Sequence, residues 1–161
     1  MADDGLLSIR TTVNGMDYEV DIPADQTLAT FLREGLGLTG LKISCELQIC
    51  GACTVLVDGR SASACTMLAA EADGAAVRTV EGLASGDRLT ALQEAFVQRG
   101  ALQCGFCTPG FLMAATELLE HVAQPDEEEI QHWLHGNLCR CTGYRSIAAA
   151  VRQAAGVPDA H

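Results

Sequence analysis

Aromatic side chains are scarce in this chain: one Trp, two Tyr and four Phe among 161 residues. Any core must therefore rely on Leu, Val, Ile and Ala. Basic residues are also few, 10 Lys and Arg against 21 Asp and Glu, which leaves a net charge of −11. So acidic a chain has no basic face for nucleic acid or an anionic membrane, and neither is expected as a partner. No apolar run approaches the ~18 residues of a membrane span. The opening Met1-Ala-Asp-Asp-Gly5 lacks the charged and apolar segments of a signal peptide. Cysteine, by contrast, is plentiful, with eight copies. Without a secretory signal these point to a reducing, cytoplasmic setting, where thiolates serve as metal ligands rather than as disulfides. The length suits one ordinary domain or two small ones, and small domains commonly need a metal or another staple.

The cysteines fall into two sets. Cys45-Glu-Leu-Gln-Ile-Cys50-Gly-Ala-Cys53 is a C-x4-C-x2-C loop, and Cys65 follows after eleven residues. This is the plant-type spacing of a [2Fe–2S] centre. Two sulfide-bridged irons need four thiolates; a short loop wraps round to supply three, and the fourth comes from elsewhere. Gly51 and Ala52 keep the loop slim, so that backbone N–H groups can approach the sulfurs. Thr54–Val57, Asp58-Gly59 and Arg60–Thr66 read as a hairpin that returns Cys65 to the loop. A zinc knuckle competes, but zinc sites usually pair two C-x2–4-C hooks, and this half has one overlapping triplet and a lone cysteine. The spacing favours a cluster on Cys45, Cys50, Cys53 and Cys65.

Around that loop the first half reads as a small mixed sheet with one helix. Leu6 to Val13 is an apolar and β-branched strand ending at Asn14-Gly15, a two-residue hairpin signal. Met16, Tyr18, Val20 and Ile22 alternate with acidic residues as a half-buried strand, which Pro23 ends. Asp25 or Thr27 caps a helix carrying Leu28, Phe31 and Leu32, closed by Gly35 and Gly37. A further strand is expected at Ala76–Val80.

Gly82-Leu-Ala-Ser-Gly-Asp-Arg88 is the expected domain boundary, dividing the chain into residues 1–82 and 83–161. Beyond it the period becomes helical. Thr90 with Gln93 forms a capping box ahead of a Leu89, Leu92, Phe96 stripe. Thr108-Pro109 reads as an N-cap and first helical position, followed by Phe111, Leu112, Ala115, Leu118 and Leu119. Asp126 with Glu129 caps a third helix carrying Ile130, Trp133 and Leu134. Ser146 opens a fourth with Ile147, Ala150, Val151 and Ala154.

The second cysteine set lies in the turns of these helices, Cys104-Gly-Phe-Cys107 and Cys139-Arg-Cys141. Its spacing leaves zinc and a second cluster equally open. A thioredoxin-like pair is disfavoured because no βαβ pattern surrounds Cys104. Rieske ligation needs two histidines beside the hooks, whereas His121, His132, His135 and His161 read as surface residues. The texts Cys107-Thr-Pro-Gly-Phe111 and Cys141-Thr-Gly-Tyr144 resemble one another, which suggests two helix pairs each donating two thiolates.

Gly51-Ala-Cys-Thr54, Gln103-Cys-Gly-Phe-Cys-Thr-Pro-Gly110 and Gly136-Asn-Leu-Cys-Arg-Cys-Thr-Gly-Tyr144, in that order, resemble the small iron–sulfur subunit of molybdenum hydroxylases of the xanthine oxidase family. The likeness runs over residues 8–155. It implies an α+β chain, with an N-terminal β-grasp, plant-type ferredoxin-like domain followed by a C-terminal four-helix bundle domain. Each domain would hold one [2Fe–2S] cluster, the second on Cys104, Cys107, Cys139 and Cys141. The resemblance further implies a large molybdopterin-binding partner, a medium FAD-binding partner and a dimer of heterotrimers. This chain would be the non-catalytic subunit of the oxidoreductase, passing single electrons from molybdenum to flavin. Gln103 would offer its amide to the pterin, and Cys141 would be the ligand nearest it. A free-standing two-cluster carrier is the alternative. One departure is visible: where the family's loop usually has glycine, this chain has Ser44 and Gln48, so the loop path or its hydrogen bonds should differ.

Overall fold

The computed structural model describes residues 5–158; Met1–Asp4, most of the acidic start, and His161 lie outside the described residues. Strands β1 (Leu6–Val13) and β2 (Met16–Pro23) form the expected antiparallel hairpin, Val13 opposite Met16. Asn14 and Gly15 turn it with φ of 51° and 80°, the mirror-image turn that matches strand twist. Ile9 and Val13 face inward from β1 and Ile22 from β2, while Met16 at the hairpin tip stays exposed. Thr27 caps helix α1: its hydroxyl accepts the Thr30 N–H at 3.2 Å. The helix runs Leu28–Thr30 and widens into a π-helical turn over Phe31–Gly35, burying Leu28, Ala29, Phe31 and Leu32.

Strands β3 (Thr54–Val57) and β4 (Arg60–Ser63) form the second hairpin, turned at Asp58 and Gly59. A short β5 (Ala76–Arg78) lies parallel to β1 and antiparallel to β3, giving the order β2-β1-β5-β3-β4. This mixed sheet and its helix fit the α+β, ferredoxin-like reading. β5 stops at Arg78, two residues short of the expected end. The Asn14 side chain explains the stop: its Oδ1 accepts the Thr79 N–H and its Nδ2 donates to Thr79 Oγ1, both at 2.9 Å. The chain turns there, and Val80 and Leu83 pack against the second core instead.

That second core belongs to four helices: α2 (Ala91–Gln98), α3 (Thr108–His121), α4 (Glu127–Leu134) and α5 (Arg145–Ala154). α2 packs against α5 and α3 against α4, around Phe96, Phe111, Leu118, Ile130, Ile147 and Val151. Both capping boxes, Thr90 with Gln93 and Asp126 with Glu129, are formed. Two helix starts differ from the sequence reading. α3 takes Cys107, not Thr108, as its N-cap, and the Thr108 hydroxyl is buried without a partner. α5 begins one residue before Ser146, from a Tyr144 held at φ 67°. Leu89 lies outside α2 and is exposed. Among the described residues no helix is long and apolar enough to cross a membrane.

Candidate metal centres

From Leu36 to Cys53 the first half has no helix or strand. Arg33 donates to the Thr39 and Leu41 carbonyls at 3.0 and 2.5 Å, and the Lys42 N–H donates to the Ala52 carbonyl at 3.0 Å. The loop so braced folds around a sulfur. The backbone N–H groups of Leu47, Ile49 and Cys50 all donate to Cys45 Sγ at 3.4 Å. With the Leu47 bond foremost, these donors stabilise the thiolate and bring Cys45 down to about 6. Cys50 adds a bond to the same sulfur. Cys53 and Cys65 lie beside each other within the sheet's core; burial above all pushes the Cys53 thiol up to about 12, opposed by the Cys65 backbone N–H and reinforced by the Cys65 thiol.

The helical half repeats the arrangement. Cys104 and Cys141 sulfurs stand 3.8 Å apart, and this contact raises Cys141 above its ordinary value. Cys107 is pushed up to about 12, first by burial and then by the adjacent Cys139. At Cys139 burial works in the same direction but is outweighed. Thr142 Oγ1 and N–H donate to its sulfur at 3.1 and 3.3 Å, and the Cys141 N–H donates at 3.4 Å, bringing the thiol down to about 7. Tyr144 completes the turn, its hydroxyl accepting the Cys139 N–H at 3.0 Å and its ring edge-on to Phe111 at 6.2 Å. The two aromatic residues that end the similar cysteine texts thus meet. Helix α3 starts directly after Cys107, a placement that favours negative charge at the sulfurs.

All eight cysteines are free thiols, and the structure brings each set of four to one place. Within a set the sulfurs stand in pairs: Cys45 with Cys50 and Cys53 with Cys65, then Cys104 with Cys141 and Cys107 with Cys139. Among the described residues no three or more His, Cys, Asp or Glu form a ready site for one metal ion. Two pairs of thiolates, with N–H donors aimed at sulfur, fit a centre of two irons carrying two ligands each. Gln103 is exposed, and its Nε2 donates to the Cys141 carbonyl at 3.0 Å. His121, His132 and His135 are exposed, as their sequence context suggests.

Of the two departures from glycine, Gln48 has a visible cost and Ser44 does not take positive φ. Gln48 lies at φ 59°, a region that costs a side chain about 1 kcal/mol or more relative to glycine, and its neighbour Glu46 lies at 53°. Ser44 is exposed. Gln48 Oε1 accepts only a long bond, 3.5 Å, from Thr66 Oγ1. Gln48→Gly is therefore expected to raise the melting temperature of the iron-loaded chain, by about 1 kcal/mol of stability. An unchanged or lowered melting midpoint would mean that the Thr66 contact outweighs the backbone strain.

Sequence reasoning missed the seam that joins the two halves. The Gly51 carbonyl accepts from Asn137 Nδ2 at 2.9 Å and from Thr54 Oγ1 at 2.7 Å, and Asn137 is buried. The Leu138 N–H donates to the Cys50 carbonyl at 2.9 Å. Gly110 in α3 presses on the same loop: a Cβ there would stand 2.1 Å from the Gly51 oxygen. A Cβ on Gly51, at φ 67°, would stand 2.5 Å from the Gly136 oxygen. Gly51 is bare because the other half packs on it, a stronger demand than the loop's own slimness. Farther out, Glu117 accepts the Ser61 N–H at 2.9 Å and Arg78 pairs with Glu120 at 2.7 Å. Gly136-Asn137 and Gly110 flank the second set of cysteines in sequence, but nothing local says that they meet the first loop.

The fold and its two groups of four thiols define an iron–sulfur protein with two centres. Residues 11–84 match a 2Fe-2S iron-sulfur cluster binding domain, and residues 79–152 match a [2Fe-2S] binding domain. The chain is 53% identical to the nicotine 6-hydroxylase small subunit of Paenarthrobacter nicotinovorans, over 93% of this chain and 90% of that one. It is 43% identical to the nicotinate dehydrogenase small FeS subunit of Eubacterium barkeri, over 92% and 94% respectively. Among solved structures, quinoline 2-oxidoreductase from Pseudomonas putida 86 superposes with a TM-score of 0.92 at 43% identity, covering 95% of this chain and 96% of that one. The chain belongs to the small [2Fe–2S] iron–sulfur subunits of the molybdenum hydroxylases, and it carries two [2Fe–2S] clusters.

Proposed function

We propose that this chain is the electron relay of a molybdenum hydroxylase, with one cluster on Cys45, Cys50, Cys53 and Cys65 and the other on Cys104, Cys107, Cys139 and Cys141. The observation that carries the reading is the convergence of eight free cysteines into two paired groups of four. Residues 1–82 form the ferredoxin-like domain and residues 83–161 a four-helix bundle domain. A large molybdopterin-binding subunit faces the helical half and a medium FAD-binding subunit the ferredoxin-like half, in a cytoplasmic dimer of heterotrimers. Single electrons enter at Cys141 and leave toward flavin from the first cluster. Gln103 fits a place at the pterin, because one amide N–H is spent on Cys141 while its other N–H and its carbonyl remain to recognise a polar edge.

Exposed apolar side chains favour a subunit over a free-standing carrier. Leu47 and Ile49 flank the first cysteine group, and Phe106, Leu138 and Tyr144 the second, all 43–68% accessible. Such side chains beside a redox centre suit coverage by partner subunits.

Metal analysis of the purified chain tests the ligand assignment. About four irons and four inorganic sulfides per chain are expected, in two spectroscopically distinct centres. Two irons with one zinc would overturn the assignment for the helical half.

A further inference from the structure

Resting on that ligand assignment, we infer that electrons cross between the clusters through the Cys50–Leu138 hydrogen bond, and that Asn137 and Gly110 are the positioning residues that hold it closed. The Leu138 N–H donates to the Cys50 carbonyl at 2.9 Å. Leu138 is peptide-bonded to Cys139, so one hydrogen bond connects a ligand of one cluster to a ligand of the other. From Cys139 Sγ the route runs up its own side chain and back along the main chain to the Leu138 amide. It then passes through the hydrogen bond into the Cys50 carbonyl and down to Cys50 Sγ. Electronic coupling decays less steeply along covalent and hydrogen bonds than across an empty gap. The other bridges between the halves are worse placed. Glu117 with Ser61 and Arg78 with Glu120 join residues that ligate neither cluster. The contact of Gly110 with Gly51 is van der Waals packing only.

The transfer is simple in its balance. One electron leaves the cluster on Cys104, Cys107, Cys139 and Cys141, which is oxidised, and arrives at the other, which is reduced. No bond is made or broken, and no proton moves.

Two contacts hold the seam around this bond closed. Asn137 binds the carbonyl next to Cys50, from a position next to Leu138. Its amide therefore clamps the two main chains one residue away from the route on each side. Gly110 lets the chains close, since any side chain there collides with the Gly51 oxygen. Gly51 and Asn137 are buried, so this clamp is shielded from competing water.

The experiment uses the full iron-loaded chain reduced by dithionite, and flash photoreduction with a deazaflavin. In the wild type, the low-temperature resonance of the fully reduced chain should show mutual splitting of two [2Fe–2S] signals. Gly110→Ala wedges the seam, and Asn137→Asp turns the clamping donor into an acceptor that repels the Gly51 carbonyl at nearly constant shape. Both should keep two signals but narrow or lose the splitting, and both should slow equilibration between the clusters. Arg78→Ala breaks a bridge between the halves without touching the route, and should change neither readout. Unchanged splitting and rate in Asn137→Asp, or equal losses in Arg78→Ala, would overturn the route. A wild type lacking one of the two signals would instead overturn the ligand assignment beneath it.

Discussion

Removing the iron is expected to take both halves of the chain out of their native packing. In the first half, the amides of Leu47, Ile49 and Cys50 point at Cys45 Sγ rather than at a carbonyl, so residues 45–50 are held to one another largely through sulfur. Cys53 and Cys65 sit within the sheet's core, so on the proposed ligand set the cluster would tie that loop to the fold. In the second half, Cys107 and Cys139 pack against the helical core, and the turn from Cys139 to Tyr144 is knit by bonds that end on Cys139. Structural thiolate–metal binding contributes on the order of 10 kcal/mol. Whole domains are stable by about 5–15 kcal/mol, so an iron-free chain keeps little margin. The few aromatic rings make the loss easy to see. Trp133 lies 5.6 Å from His121, and Tyr144 lies edge-on to Phe111, so in the iron-free chain, where cluster bands no longer overlap, aromatic dichroism reports chiefly on the helical half. After chelation that aromatic signal should be weak, should not change further in denaturant, and the melting transition should become broad or vanish. A sharp, cooperative melt of the iron-free chain, with aromatic dichroism that is lost only on adding denaturant, would contradict this.

Much of this fold is legible locally. Asn14-Gly15 and Asp58-Gly59 announce turns that need positive φ, and both occur. Thr90 with Gln93 and Asp126 with Glu129 mark helix starts within a few residues of sequence, and both boxes form. Both groups of four cysteines are visible as spacing. The pairing of the sulfurs is not, because it depends on which loop lies over which. The seam is the clearest case of information the sequence withholds. Asn137 and Gly51 are 86 residues apart, and the bond that matters joins a side-chain amide to a main-chain carbonyl. Main-chain acceptors leave no trace in residue type. Only Gly51 and Gly110 hint at it, and a glycine does not say what packs against it. Local pattern also misplaced α5, whose start is set by a left-handed Tyr144 bound to the Cys139 N–H rather than by the Ser146 hydroxyl. The early end of β5 has the same character, since a side chain on the other hairpin, Asn14, diverts the chain at Thr79.

The second large effect is expected from Cys50→Ala in the assembled complex. The substitution removes one thiolate from the first group, where Cys50 pairs with Cys45, and should cost the first cluster. It leaves the Cys50 carbonyl in place, so the hydrogen bond from the Leu138 N–H is retained. Any loss of transfer then belongs to the missing cluster and not to a broken seam. The helical cysteines are untouched, so the second cluster should load and be reduced as before. Rapid mixing of this complex with its native substrate, following iron–sulfur and flavin absorbance together, tests whether the two clusters act in series. Wild-type reduction of the helical-half cluster is expected while flavin reduction becomes slow. Flavin reduced at the wild-type rate in a complex that lacks the first cluster would contradict it.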